Sequence, residues 1–162
     1  MFQLRAATDA DLPSMVEVIR AAFAEYEDRL DPPSSAQRRT VESTRQELAN
    51  GSAVVATVEQ NLAGCVLYFP KADHMYFARL AVLPAYRGYG IGRSLIAAVE
   101  ERARDAGLQW VELSVRLQLV ELRAAYERLG YRALRYGTHA GYSAPTYVTL
   151  YKPLVIDPPF ED

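Results

Sequence analysis

Leu80-Ala81-Val82-Leu83-Pro84-Ala85-Tyr86-Arg87-Gly88-Tyr89-Gly90-Ile91-Gly92-Arg93-Ser94-Leu95 reads as an apolar strand that passes through a glycine-rich turn into an amphipathic helix. Phe77, Leu80, Val82 and Leu83 make the strand, and Pro84 closes it. Gly88, Gly90 and Gly92 carry no side chain, so the backbone there can approach an anion closely. From Ile91 onward, Leu95, Ala98, Val99 and Ala103 recur at helical spacing. The unpaired N–H groups and positive dipole end of that helix therefore fall at the glycines, which is where a phosphate binds. A plain strand-to-helix connection is the structural alternative. A dinucleotide-binding fingerprint requires Gly-x-Gly-x-x-Gly, and these three glycines are evenly spaced.

Outward from this stretch, the pattern alternates between strand and helix signals. Residues 2–6 form a first strand. Thr8, Asp9 and Asp11 cap a helix whose inward face is Leu12, Met15, Val16, Ile19, Phe23 and Tyr26, with Pro13 tolerated near its start. The prolines of Asp31-Pro32-Pro33 preclude a continuous helix, and residues 36–50 resume one with Val41 and Leu48 inward. Residues 52–59 and 62–69 make a hairpin across Gln60-Asn61, and 74–83 is the strand that enters the glycine turn. The long helix stops at Ala106-Gly107. Residues 110–115 alternate as a strand, with Val111, Leu113 and Val115 on one side, and a helix over 118–129 ends at Gly130. Strands over 131–136 and 146–152 flank an irregular glycine-rich loop. This order gives an α/β chain with a mixed sheet.

The segment Arg87-Gly88-Tyr89-Gly90-Ile91-Gly92 resembles the acyl-CoA signature Gln/Arg-x-x-Gly-x-Gly/Ala of the GNAT superfamily of N-acetyltransferases, and the element order is similar along nearly the whole chain. The resemblance implies a mostly antiparallel, twisted sheet flanked by helices, with a splayed central strand pair holding acyl-CoA. It places the CoA pyrophosphate on the turn at Arg87, Gly88, Tyr89, Gly90, Ile91, Gly92, Arg93 and Ser94. The pantetheine arm would then lie along the backbone of Leu80, Ala81 and Val82, with an amide near Val82 as oxyanion donor. Tyr126-Glu127-Arg128-Leu129-Gly130-Tyr131 is similar to the family's Y-E-R-L-G-F/Y segment, so Tyr126 is the expected acid for the departing thiolate; a core tyrosine is the alternative. An asparagine that often stands seven residues earlier is Leu119 here, so any CoA contact made by that amide is missing. Counting thirteen residues back from Arg87, where some members carry a basic glutamate, reaches His74. A chain of ordered waters, with His74 as a solvated residue, is the other option. Tyr26, Asp28, Asp31, His139 and Tyr142 fall in segments where members build the acceptor wall.

Composition sets bounds on the rest. The chain has 162 residues, 50% of them hydrophobic and 23% charged, and a net charge of −2, which gives no electrostatic case for nucleic acid or an anionic membrane. One domain over residues 1–156 with a loose tail at 157–162 is expected. Cys65, the sole cysteine, lies in an apolar run and reads as a buried hydrophobe. With 2 histidines and no ligand spacing, no metal is expected. Arg5, Asp9 and Asp11 precede any long apolar segment, which argues against a secretory leader and for the cytoplasm. The expected activity is acetyl transfer from acetyl-CoA to a small, N-terminal or lysine amine by direct attack. The alternatives are a longer acyl donor and a noncatalytic acyl-CoA-binding module. Edge strands after Tyr131 could pair two copies as a homodimer.

Overall fold

A strand apolar on both faces must lie between two layers, and residues 63–67 are buried without a break. They belong to the centre of a seven-stranded sheet in the computed structural model, which describes residues 1–156, 159 and 160. The elements are β1 (Gln3–Ala6), α1 (Leu12–Phe23), α2 (Val41–Glu47), β2 (Ser52–Val58), β3 (Asn61–Pro70), β4 (His74–Val82), α3 (Ile91–Asp105), β5 (Trp110–Arg116), α4 (Val120–Arg128), β6 (Arg132–Gly137) and β7 (Tyr147–Pro153). The strand order is β1-β2-β3-β4-β5-β7-β6. Neighbouring strands are antiparallel except β4 and β5. The fold is therefore the expected mixed, mostly antiparallel α/β sheet.

Two apolar clusters cover the faces. On one, Ile91, Leu95, Val99 and Ala103 of α3, with Tyr126 of α4, pack on Val54, Val66, Phe77, Val111, Leu113 and Val115. On the other, Leu12, Met15, Ile19 and Ala22 of α1 pack on Val55, Cys65, Leu67 and Ala81. β2 reports the two layers directly, with Val54 and Ala56 in the first cluster and Ala53 and Val55 in the second. Gly64 is needed where α3 meets the sheet, because a Cβ there would stand 2.9 Å from the Ala81 carbonyl and 3.2 Å from Ile91.

Local departures from the sequence expectation have identifiable causes. The second helix does not run over 36–50. Arg39 is extended, and Thr40 caps α2 by accepting the Ser43 amide at 3.0 Å while its own amide donates to Ser43 at 2.9 Å. Thr44, fully buried, is its inward residue, whereas Val41 and Leu48 are half-buried. The hairpin turn falls on Glu59 and Gln60, both at positive φ, one residue earlier than expected. Within the tail, Phe160 sets its ring edge-on to Trp110 and Tyr151, each at 4.6 Å. The other tail positions, 157, 158, 161 and 162, lie outside the described residues.

The start of α1 is tied to β1 by charge. Asp11 accepts both terminal nitrogens of Arg5, at 2.7 and 2.8 Å, and the Thr8 amide at 2.7 Å. The Arg5 guanidinium overcomes burial and holds the Asp11 carboxyl at about 2, against an ordinary 3.8. A carboxyl depressed in the folded state adds stability that is present in full above its unfolded pKa and is lost as pH falls through the folded one. Asp11→Asn should lower stability at neutral pH by roughly 1–2 kcal/mol, the exposure of Arg5 screening the remainder. The difference between wild type and variant should close between about pH 4 and about pH 2 in denaturant titrations.

Candidate active site

β4 and β5 pair only over His74–Trp110, Met75–Val111 and Tyr76–Glu112. Past that point they part, because β4 is bulged: Leu67 faces Ala78 and Cys65 faces Ala81, so Arg79 and Leu80 together oppose Val66. Arg79 occupies φ +56°, a left-handed conformation that a non-glycine residue seldom adopts. The bulge switches the strand's parity. Before it Met75 and Phe77 face α3; after it Leu80 and Val82 do, while Ala81 turns to α1. A cleft of about 1370 Å³ opens between the parted strands. Phe77, Leu80 and Val82 line one wall, and Leu113, Ser114 and Val115 the other.

The glycine turn closes one end of the cleft. Gly88 and Gly90 sit at φ +85° and +87°, and a Cβ at either would meet nothing within 4 Å, so backbone conformation is what demands glycine there. Gly92 differs: it is helical, with room for a Cβ at 3.8 Å from Val82. Ser94 donates its amide to Gly90 at 3.0 Å, and no side chain caps α3. The amides of Ile91, Gly92 and Arg93 are thus left without an intrahelical acceptor, and all three residues line the cleft with Gly88 and Gly90. Three residues expected at the cofactor do not line it. Tyr89 is 60% exposed, Ala81 is buried on the α1 side, and Ser94 follows the turn. Arg87 lines the cleft, but its guanidinium is held at the end of α1, donating to Glu25 at 2.8 Å, the Ala22 carbonyl at 3.1 Å and the Val82 carbonyl at 3.3 Å.

Tyr126 enters the cleft from α4, 6% exposed, with Phe77 and Tyr131 about its ring at 6.2 and 6.1 Å. Burial, with Tyr26 close by, raises its phenol above the ordinary value. Tyr26 also lines the cleft, its phenol raised by burial and Glu25. His139 lines it from the β6–β7 connection, with Nδ1 against the Thr146 hydroxyl. Desolvation and then Arg116 lower the His139 pKa from 6.5. Leu119 stands in the wall as an apolar, buried side chain.

The structure does not bring His74 to the cleft. It lies at the far, paired end of β4, stacked on Trp110 at 4.9 Å, with Nδ1 2.8 Å from Asp73 and Nε2 3.7 Å from Glu112. Pairing with β5 there closes the gap that a substrate would need. Asp28, Asp31 and Tyr142 are likewise outside the lining. Asp31 accepts the Tyr142 hydroxyl and so joins the α1–α2 connection to the β6–β7 loop. Sequence reasoning missed Arg79 and Arg116, which line the cleft from the two parted strands. The available signal was a cation inside or ending an otherwise apolar strand.

The model of the acetyltransferase (GNAT) family matches residues 14–131. The chain is 43% identical over 53 residues to an aminoalkylphosphonate N-acetyltransferase of Salmonella typhimurium, a match covering 33% of this chain and 34% of that protein. It is 34% identical over 109 residues to an amino-acid acetyltransferase of Pseudomonas paraeruginosa, covering 66% of this chain and 23% of the other. The chain thus spans about a third or less of the length of the curated relatives it matches. The PaiA N-acetyltransferase of Thermoplasma acidophilum, solved in complex with coenzyme A, superposes with a TM-score of 0.71 at 17% identity, covering 94% of this chain and 99% of that one. That likeness is one of fold.

The two kinds of glycine in the turn separate by substitution. Gly90→Val puts a β-branched residue at φ +87° and should reorient the first amides of α3, abolishing calorimetric CoA binding in a protein that still unfolds cooperatively. Gly92→Ala, at a helical position, should retain it.

Proposed function

This chain belongs to the acetyltransferase (GNAT) family, and from that premise we propose that it transfers an acetyl group from acetyl-CoA to the primary amine of a small acceptor by direct attack in a ternary complex. What carries the reading is the continuity of one cleft, lined by the uncapped start of α3, the parted edge of β4, Tyr126 and His139. The curated relatives support a small acceptor, since amino acids and aminoalkylphosphonates both carry a primary amine.

Acetyl-CoA supplies the activated thioester. The free amides of Ile91, Gly92 and Arg93, at the positive end of the α3 dipole, suit its pyrophosphate. Leu83 spends its amide on the Ala63 carbonyl at 2.8 Å, so strand alternation turns the Val82 amide to the open edge, where it can stabilise charge developing on the carbonyl oxygen. The amine nitrogen forms the new C–N bond as the C–S bond breaks. The Tyr126 phenol stays protonated through the neutral range and delivers its proton to the sulfur. We assign the base to His139 in place of His74: its lowered pKa keeps the imidazole neutral near pH 7, able to take the amine proton. A covalent route through Cys65 has no support. The thiol is buried, and desolvation pushes it up to about 12.

A screen of amines for thiol release from acetyl-CoA tests the reading. No release with any amine, despite CoA binding, would leave a noncatalytic binding module, and faster release from longer acyl-CoAs would change the donor. Tyr126→Phe should lower kcat by about 10²–10⁴-fold with CoA affinity little changed, whereas a merely structural hydroxyl would cost stability and spare turnover. In His139→Ala the acidic limb of the kcat/KM profile, expected below pH 6.5 from the depressed imidazole, should vanish together with most of the rate. An unchanged profile would return the base to a water chain.

A further inference from the structure

Away from the glycine turn, the cleft is walled by two guanidinium groups. Arg79, at the bulge of β4, donates an Nη to the Ser35 hydroxyl at 3.1 Å; its Nε is buried with no partner. Arg116, the last residue of β5, donates to the Pro32 carbonyl, and its Nε is also buried and unpartnered. They grip the two ends of the same loop, residues 32–35, and both line the cleft. Among the described residues neither is in an ion pair. Two carboxylates act on them at a distance, Glu47 on Arg79 and Asp31 on Arg116, without closing an ion pair: Glu47 holds Arg39 at 2.6 Å, and Asp31 accepts the Tyr142 hydroxyl.

Partly buried cations with unspent donors are costly unless an anion completes them. Burial depresses both guanidinium pKa values, Arg39 adding to the effect at Arg79. The forked donors of arginine match a carboxylate or phosphonate. The uncapped amides of Ile91 to Arg93 already suit the pyrophosphate of the proposed donor, and Arg79 and Arg116 stand on the strands rather than on that turn, so this pair is assigned to the acceptor.

We propose that Arg79 and Arg116 form an anion-recognising wall, and that the acceptor is an amine that also bears a carboxylate or phosphonate, its anion on these guanidinium groups and its nitrogen toward the acetyl group. The proposal rests on the acyltransferase reading for the direction of the amine alone; anion recognition stands on the two arginines. A site built for an anion rejects a neutral analogue strongly, because the analogue leaves the buried donors unpaired.

The test is a matched panel: free amino acids and 1-aminoalkylphosphonates against the corresponding amino-acid amides and simple alkylamines. Each is measured for thiol release and, calorimetrically, for binding to the CoA-loaded protein. An amino-acid amide has the more easily deprotonated amine, so preference for the acid cannot come from amine basicity. Wild type should favour the anionic acceptors by about 10²-fold or more. Arg79→Gln and Arg116→Gln should collapse that ratio while leaving CoA affinity unchanged. Whether carboxylate or phosphonate binds better identifies the anion. Equal or better use of neutral amines, failure of every anionic amine to bind or react, or loss of CoA affinity in the arginine variants would overturn the proposal. Neutral amines turning over freely would do so while sparing the transferase reading. Conversely, arginine-dependent binding of amino acids or phosphonates without thiol release would sink the transferase reading and keep the anion site. The wild-type panel decides even where a variant fails to fold.

Discussion

The hydrogen-bond register between β3 and β4 is the constraint on which the site depends. Two residues of β4 oppose one of β3 at Val66, and Arg79 absorbs the surplus at φ +56°. A regular ladder would have kept β4 parallel to β5 along its length, using the backbone of both strands and leaving no cleft. With the bulge, pairing stops at Tyr76–Glu112, and the β5-facing edge of β4 has no strand partner over the residues that lead to the glycine turn. An unpaired interior edge is a liability in a sheet unless something covers it. Under the proposed function, that something is the extended, amide-bearing arm of acyl-CoA.

The same bulge settles which side chains reach the cleft. By switching parity, it keeps Phe77, Leu80 and Val82 on the α3 side and turns Ala81 to the α1 layer. It also projects Arg79 toward Ser35 in the α1–α2 connection, where no alternating pattern would have put a cation. Backbone strain of this sort, on the order of 1–3 kcal/mol, persists only where the surrounding structure over-determines it. Arg87 supplies part of that restraint by bonding the end of α1 to the end of β4.

Polar groups in the chain therefore divide by what they already hold. Arg87, Glu112, Glu100 and His74 are spent on protein partners: Glu112 on Trp110 and Arg135, Glu100 on Tyr131 and Lys152, His74 on Asp73. The first amides of α3, with Arg79 and Arg116 of the four arginines that line the cleft, retain donors that the fold does not use. Donors left over at one cavity are the physical content of a binding site, and these come from different elements of its wall, which suits the two substrates of the proposed function.

What could be read from residue order alone was whatever depends on near neighbours. The apolar alternation of 110–115, the 3.6-residue spacing from Ile91 to Ala103, the stops at Gly107 and Gly130, and the glycine turn opening α3 all follow from local sterics and periodicity, and each is found in place. Even there the three evenly spaced glycines hid a distinction, since only Gly88 and Gly90 require a left-handed backbone. The base assignment failed to reach the cleft for a related reason. Counting along β4 assumes a strand running open from its first residue, whereas His74 sits in the three-residue stretch still paired to β5. Arg79 and Arg116 could not be recognised from their neighbours, because their convergence on residues 32–35 joins segments more than forty positions apart. Register and burial, which decide whether a cation is spent or free, exist only once strands from distant parts of the chain have paired.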